Sequence, residues 1–133
     1  MRLWPLAIID QLPRQQLLGQ HRECCALRGK GWGRKHATVN YVFRHGLGHL
    51  YCYHLRVMSE MVKRGYTPDG QWYKRTYRGE GLPCSTLMEV GTFVYKGGAI
   101  YPEHDAAYLH ECIDNLARKG IKIKNPNGLL DEG

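Results

Sequence analysis

The chain has 133 residues, 43% of them hydrophobic, which is enough for one modest core and argues against disorder over the whole length. Its formal net charge of +7 indicates a polyanionic partner, most simply nucleic acid. The five irregularly spaced cysteines indicate reduced thiols, and no apolar run reaches the roughly 20 residues of a membrane span. We therefore expect a single domain over residues 1–133 of a cytoplasmic, monomeric protein with no membrane partner.

The amino-terminal lead-in, residues 1–9, is apolar apart from Arg2. Pro5 predicts that this segment is extended and irregular rather than helical. Two interpretations stay open. The segment is either a buried arm that carries the amino terminus inward, or a frayed start that packs Trp4 and Ile8 on the surface of the core. Length alone favours the frayed start.

The first predicted helix begins at Asp10, which is a good N-cap residue. Pro13 is tolerated in a first turn, because the amide that it lacks would have no helical partner there. The helix is predicted to run to about Arg28, where Gly29 ends it.

One face of this helix is polar. Gln15 and Arg22 lie seven residues apart, as do Gln16 and Glu23, so the four side chains share a face with Gly19 between them. The opposite face carries leucines and cysteines and is predicted to enter the core. An Arg–Glu pair by itself is typical of a surface salt bridge that contributes little. Its combination with two amides around an open glycine favours a binding or catalytic face.

A glycine-rich basic loop follows over residues 29–36. Its glycines let the backbone approach phosphates, and Trp32 could stack on a base. The alternative is a solvated loop whose tryptophan packs toward the core. With the net positive charge we expect phosphate contact. The cations concerned are Arg28, Lys30, Arg34 and Lys35.

Helical spacing of apolar residues predicts the strongest helix of the chain from Leu47 to Gly65, preceded by a short helical piece over residues 37–44. A last helix is predicted over about residues 104–119, and the tail from about residue 121 is expected to be loosely ordered. The predicted fold class is therefore all-α, with about three main helices.

The segment between these helices, residues 66–98, is the least readable part of the sequence. It interleaves basic and aromatic side chains, which is typical of a loop that contacts nucleic acid. A short strand is possible over residues 92–95. The interleaved residues are Trp72, Tyr73, Lys74, Arg75, Tyr77 and Arg78.

A metal site is an alternative function for a histidine-rich stretch. His45 and His49 lie four residues apart and would share a helix face, as zinc ligands can, with Cys52 and His54 nearby. The glycines at positions 46 and 48 weaken a helix there, so we expect no bound metal.

Several motifs in a fixed order resemble one known family, the pyrimidine-dimer DNA glycosylases of the phage endonuclease V type. The resemblance covers most of the chain and is thin over residues 66–98. The motifs are Arg2, Gln15-Gln16-Leu17, Arg22-Glu23, Arg34-Lys35-His36, Gly46 to His49, Lys63 to Gly65 and Tyr101-Pro102.

This resemblance implies a compact all-helical domain with the amino-terminal arm lodged among the helices. It implies an enzyme that cuts the glycosidic bond at a damaged pyrimidine in double-stranded DNA and then nicks the strand, with no metal or cofactor. The family's nucleophile, its α-amine, would be that of Met1, and its essential carboxylate matches Glu23. Together with the basic loop, the expected DNA-binding residues are Arg2, Gln15, Gln16, Arg22, Arg28, Lys30, Arg34, Lys35 and His36.

Two departures from the family pattern bear on the substrate. Gln16 stands where the family has His. Members of the family commonly expose a small residue after loss of the initiator methionine, whereas here Arg2 predicts that Met1 is retained. These changes favour a branch with a different lesion or modified base. The alternative to an enzyme is a non-catalytic, basic DNA-binding module of the same fold.

Overall fold

The computed structural model describes residues 2–124 and 126, which form five α-helices and two 3-10 helices. No β-strand occurs among these residues, so the predicted all-α class is confirmed, with α1, α3 and α5 as the three main helices. The α-helices are α1 (Arg14–Arg28), α2 (Asn40–His45), α3 (Leu47–Lys63), α4 (Leu87–Val90) and α5 (Ala106–Arg118), and the 3-10 helices are Leu6–Gln11 and Gly70–Tyr73.

The start of α1 differs from the sequence prediction. Instead of one helix from Asp10, the chain forms the 3-10 helix Leu6–Gln11, passes through an extended Leu12, and begins α1 after Pro13. The proline ring disfavours a helical conformation for the residue before it, so the break falls at Leu12. The predicted end is confirmed, because the amide of Gly29 bonds the carbonyls of Cys25 and Ala26 as the cap of α1.

Residues 2–9 of the amino-terminal lead-in form a buried arm, not a frayed start. Leu3 and Ile8 are fully buried and Trp4 is nearly so. They belong to the main apolar cluster together with side chains of α1, α3 and α5. Burial of such side chains contributes about 1.5–3 kcal/mol each, which offsets much of the entropy lost by ordering the arm.

Helix α3 is central to the packing, since it contacts α1, α2, α4 and the 3-10 helix of the arm. Its core face includes Tyr53, Met58 and Met61. Gly48 is needed where α3 meets the end of α4, because a Cβ there would lie 2.6 Å from the carbonyl oxygen of Val90.

Part of the segment of residues 66–98 contacts the helices, while Tyr73 and Lys74 stay exposed. The Trp72 ring lies 4.7 Å from that of Tyr77, and the Arg75 guanidinium lies 4.9 Å from the ring of Tyr51 on α3. The possible strand over residues 92–95 does not form. Some of the basic and aromatic side chains thus contact each other, and nucleic-acid contact by the segment stays a prediction.

Helix α5 begins after Asp105, whose side chain accepts a hydrogen bond from the amide of Tyr108. Beyond α5, the backbone of Lys124 exchanges two hydrogen bonds with the side chain of Gln11 in the arm, at 2.7 and 2.9 Å. The remainder of the tail that we expected to be loosely ordered, residue 125 and residues 127–133, lies outside the described residues. Among the described helices, none has the length and apolar character needed to cross a bilayer.

Candidate active site

Glu23 lies half-buried on the face of α1 that receives the amino-terminal arm. Gln20 Nε2 lies 3.4 Å from Glu23 Oε2 and 3.1 Å from the Arg2 carbonyl oxygen, so one side chain links the carboxylate to the arm. Burial raises the pKa of the Glu23 carboxyl above its ordinary value, whereas the Arg2 backbone and the charges of His36 and Arg22 act in the opposite direction. A carboxyl with a raised pKa is better suited to exchange protons near neutral pH than an exposed one.

A cavity of about 310 Å³ opens beside this carboxylate. The arm, α1, the loop before α2 and the last turn of α5 all contribute to its wall. Asn115 Oδ1 is buried there without a hydrogen-bond partner among the described residues. Sequence reasoning missed three of the lining residues, since nothing local marks them. The lining residues are Arg2, Trp4, Glu23, Thr38, Asn115 and Lys119.

Side chains from three helices bond the backbone of the arm. Gln20 of α1 donates from Nε2 to the carbonyl of Arg2 at 3.1 Å and accepts at Oε1 from the amide of Trp4 at 2.6 Å. Tyr53 of α3 donates to the carbonyl of Trp4 at 2.5 Å, and Tyr108 of α5 to the carbonyl of residue 3 at 2.8 Å. Three successive carbonyls of a segment without regular structure are thereby satisfied.

The predicted nucleophile, Met1, lies outside the described residues. Arg2 follows it, and its guanidinium turns toward α5, where it donates to Cys112 Sγ at 3.4 Å and lies 3.6 Å from Glu111. The side chain of Arg2 is 20% exposed and lines the cavity. Its positive charge therefore lies at the wall of the site that contains Glu23.

The polar face of α1 is present as the spacing predicts. Gln15 and Arg22 are exposed and Gln16 is half-buried. The gap at Gly19 is smaller than expected, because a Cβ built there would lie 3.8 Å from Arg22 Nη2. The arginine thus bends back over the glycine and lies along the face that it shares with Glu23.

The basic loop presents its cations to solvent. Lys30, Arg34, Lys35 and His36 are all exposed. Trp32 is different, because it is half-buried and meets the ring of Phe43 edge-on at 5.0 Å. This tryptophan packs on the core. The structure therefore favours the alternative interpretation, a loop whose tryptophan packs toward the core, over one in which it stacks on a base.

Arg28 does not belong to this exposed set. It is 2% exposed, and its guanidinium donates to the carbonyls of Trp72, Lys74 and Tyr77 at 2.8, 2.8 and 3.0 Å. It also lies 3.0 Å from Nδ1 of His54. No face of the group is left for a phosphate, so the expected DNA contact of Arg28 is corrected to a structural one.

The fold keeps His45 and His49 together and separates them from His54. The His45 and His49 rings lie 5.0 Å apart, His45 Nε2 bonds Glu103 at 2.8 Å, and the His49 ring stacks on Phe93 at 3.7 Å. His54 lies apart from them, buried between α1 and α3. The stretch that looks like one ligand set is therefore split into two.

His54 does meet two other potential ligands, His21 and Cys25, whose donor atoms all lie within 4.8 Å of one another. Arg28 can only donate, so Nδ1 of His54 accepts and Nε2 keeps its proton. That proton points at His21 Nδ1, 2.8 Å away. Arg28 thus donates to His54, and His54 donates to His21. Because both ring nitrogens of His54 are used in these hydrogen bonds, neither is free to bind a metal.

Buried histidines predict that the protein loses stability in mild acid. Burial, with the charges of Arg28 and His21, lowers the pKa of His54 to about 2, and burial lowers the pKa of His104 to about 4. The unfolded chain binds these protons near pH 6.5, so stability is full above that pH and is lost as the pH falls. We expect a loss of about 2 kcal/mol per histidine between pH 7 and 5, measured by urea unfolding. His104→Gln should remove part of this loss, and His110→Gln, at an exposed position, none of it.

Comparison with known proteins gives one match. The sequence model of the family described as pyrimidine dimer DNA glycosylase matches residues 1–74. No curated protein and no solved structure matches the chain. The matched part includes the arm, α1 with Glu23, the basic loop, α2 and α3, whereas α4 and α5 lie beyond it. More than half of the sequence is thus covered, and the chain belongs to the pyrimidine dimer DNA glycosylase family of DNA repair enzymes.

Proposed function

We propose that this glycosylase is also an AP lyase, which excises a damaged pyrimidine from double-stranded DNA through a Schiff base on Met1 and then nicks the strand. The observation that carries the proposal is the cavity that Arg2 and Glu23 line together. It ties the residue that follows Met1 to the carboxylate that the resemblance assigns to catalysis.

The chemistry favours an α-amine over a lysine. An α-amine has a reference pKa of about 7.7–8.0, against about 10.4 for lysine, so it is partly neutral at physiological pH. The neutral nitrogen attacks C1′, and the bond from C1′ to the base breaks with the electron pair leaving on the base. The sugar ring then opens, O4′ takes a proton, and a protonated imine joins Met1 to C1′.

Strand cleavage follows from that imine. Loss of a proton from C2′ drives β-elimination, in which the bond from C3′ to its phosphate oxygen breaks. Glu23 stabilises the positive charge that develops at the sugar and carries protons between these steps. The sequence of steps requires neither a metal nor a cofactor. Arg2 supports the use of Met1 itself, because aminopeptidases remove methionine before small residues.

The DNA surface that we propose surrounds this site. It joins the polar face of α1 to the exposed basic loop, and we propose that the protein acts through it as a monomer. A damaged base leaves the stack at lower cost than an intact one, so such a surface needs only to hold the backbone while the base turns out. The proposed residues are Arg2, Gln15, Gln16, Arg22, Lys30, Arg34, Lys35 and His36.

The salt dependence of DNA binding tests whether the basic loop contacts phosphates. Each phosphate contact contributes about 0.9 to the slope of log K against log salt concentration for B-DNA. We expect Arg34→Ala and Lys35→Ala each to weaken duplex binding and to lower that slope by about 1. Glu80→Ala, at an exposed position outside the surface, is the control and should not lower the slope. Equal slopes in all variants would place the phosphates elsewhere.

Borohydride trapping tests the reaction. The protein incubated with abasic or dimer-containing duplex should give a covalent adduct, because borohydride reduces the imine to a stable amine. Acetylating the α-amine should abolish the adduct, whereas a duplex without damage should give none. Salt-sensitive binding without any adduct would instead support the non-catalytic DNA-binding module.

A further inference from the structure

Gln20 makes four contacts that converge on the candidate site, although it is only 1% exposed and no substrate could reach it. Oε1 accepts from the Trp4 amide at 2.6 Å and from the Tyr53 hydroxyl at 2.8 Å. Nε2 donates to the Arg2 carbonyl at 3.1 Å and lies 3.4 Å from Glu23 Oε2. We propose that Gln20 is a positioning residue for the reaction, whose amide holds the arm and the Glu23 carboxylate at a fixed separation.

The orientation of this amide is determined by its partners. The backbone N–H of Trp4 can only donate and meets one end, so that end is the oxygen. The single proton of the Tyr53 hydroxyl is shared between this oxygen and the Trp4 carbonyl. A carbonyl and a carboxylate, both acceptors, meet the other end, so that end is the nitrogen. Only a side chain with an acceptor and two donors at this distance satisfies the arm of residues 2–4 and Glu23 together.

The link to Glu23 separates Gln20 from the other anchors of the arm. Tyr53 and Tyr108 also bond carbonyls of residues 2–4, but neither contacts the carboxylate. Loss of Gln20 therefore has two consequences that loss of a tyrosine hydroxyl does not. The arm can move relative to Glu23, and the carboxylate loses a donor that favours its charged form, so the pKa of Glu23 should rise.

The effect on the reaction should fall on the chemical step. A displacement of about 1 Å of a reacting group can cost about 100-fold in rate, even when the mutated residue touches no substrate. Gln20 lies under the site and not on the DNA surface, so affinity for duplex should change little. This inference depends on the proposed function, because it assumes that the arm carries the nucleophile.

Three variants test the proposal by single-turnover borohydride trapping on abasic duplex across a pH series. Gln20→Met keeps the volume and loses all four contacts. We expect a rate about 100-fold lower and dissociation constants within about threefold of wild type. The acid limb of the pH profile, where the rate falls as the pH is lowered, should lie at higher pH than in wild type. Gln20→Glu keeps the acceptor, loses the donor and adds a negative charge, so it should shift the acid limb at least as far. Tyr53→Phe is the matched control. We expect it to be less stable than wild type but to keep the acid limb of its pH profile at the wild-type position.

The outcomes are distinct. Wild-type rate and an unchanged acid limb in both Gln20 variants would overturn the positioning role while leaving the proposed function intact. A limb that moves equally in Tyr53→Phe would show that Gln20 acts only through general stability of the arm. Absence of any adduct in wild-type protein would contradict the proposed function itself, and the role of Gln20 with it. If Gln20→Met fails to fold, the two results for Gln20→Glu decide the question.

Discussion

Glu23→Gln is expected to lower the single-turnover rate of strand nicking by about 10²–10⁴-fold, the usual contribution of a positioned acid–base group. The replacement keeps the size of the side chain and can still accept a hydrogen bond from the Gln20 amide. It cannot balance the charge that develops at the sugar or carry a proton from C2′. Binding to damaged duplex should change little, because removing a negative charge next to DNA does not weaken phosphate contacts.

The control for this prediction is another carboxylate on the same protein. Glu80 is exposed and does not line the cavity, so Glu80→Gln changes the net charge equally without touching the site. Rates are compared at saturating protein on an abasic duplex, where affinity no longer contributes. Nicking at the wild-type rate in Glu23→Gln would assign the proton transfers to another group.

The same prediction includes the direction in which activity changes with pH. Burial raises the pKa of Glu23, so the acid limb of wild-type activity should lie above the ordinary glutamate range near about 4.3. Activity rises with pH as the carboxylate loses its proton and rises again as the α-amine becomes neutral near about pH 8. In Glu23→Gln only the second rise should remain.

Regular periodicity explains which parts of the fold the sequence could predict. Helices α3 and α5 were found because their apolar residues recur at helical spacing over three or more turns. The buried arm follows from the family resemblance and not from periodicity, since its backbone is ordered by side chains of α1, α3 and α5 that lie far away in sequence. Local propensity does not contain that information.

The candidate site likewise combines residues that sequence spacing predicts with residues that it does not. Arg22 and Glu23 lie on one helix, so their shared face follows from spacing. The cavity beside Glu23 also needs Asn115 and Lys119 from α5, about ninety residues further on. A polar residue near the end of a helix carries no local mark of a site, which is why neither was predicted.

Arg28 shows how a basic residue next to a basic loop can be misread. The groups that bind its guanidinium, the carbonyls of Trp72, Lys74 and Tyr77, come more than forty residues later. No carboxylate within residues 2–124 pairs with it. The rings of Tyr51 and Trp72, 5.2 and 5.0 Å from its central carbon, cover the guanidinium. Burial lowers the pKa of Arg28, but an arginine keeps its charge at any physiological pH.

Arg28→Met is therefore expected to destabilise the fold by about 3–5 kcal/mol, because it removes the donor from several partly buried acceptors at once. Methionine fills much of the same space but leaves three carbonyls and Nδ1 of His54 without a donor, each worth about 1–3 kcal/mol when buried. Since small domains unfold at a cost of about 5–15 kcal/mol, such a loss is a large share of the total. The measurement is urea unfolding at pH 7, where His54 is neutral in the folded and mostly in the unfolded chain.

Lys30→Met is the matched control, because it removes the same charge two residues away at an exposed position. Its stability should stay within about 0.5 kcal/mol of wild type, whereas its affinity for duplex and its salt slope should fall. The two variants thus separate a cation that holds the segment of residues 70–78 from a cation that meets phosphate. A stable Arg28→Met protein with weakened, less salt-sensitive DNA binding would reverse the assignment, since only an arginine that reaches the DNA gives that pair of results.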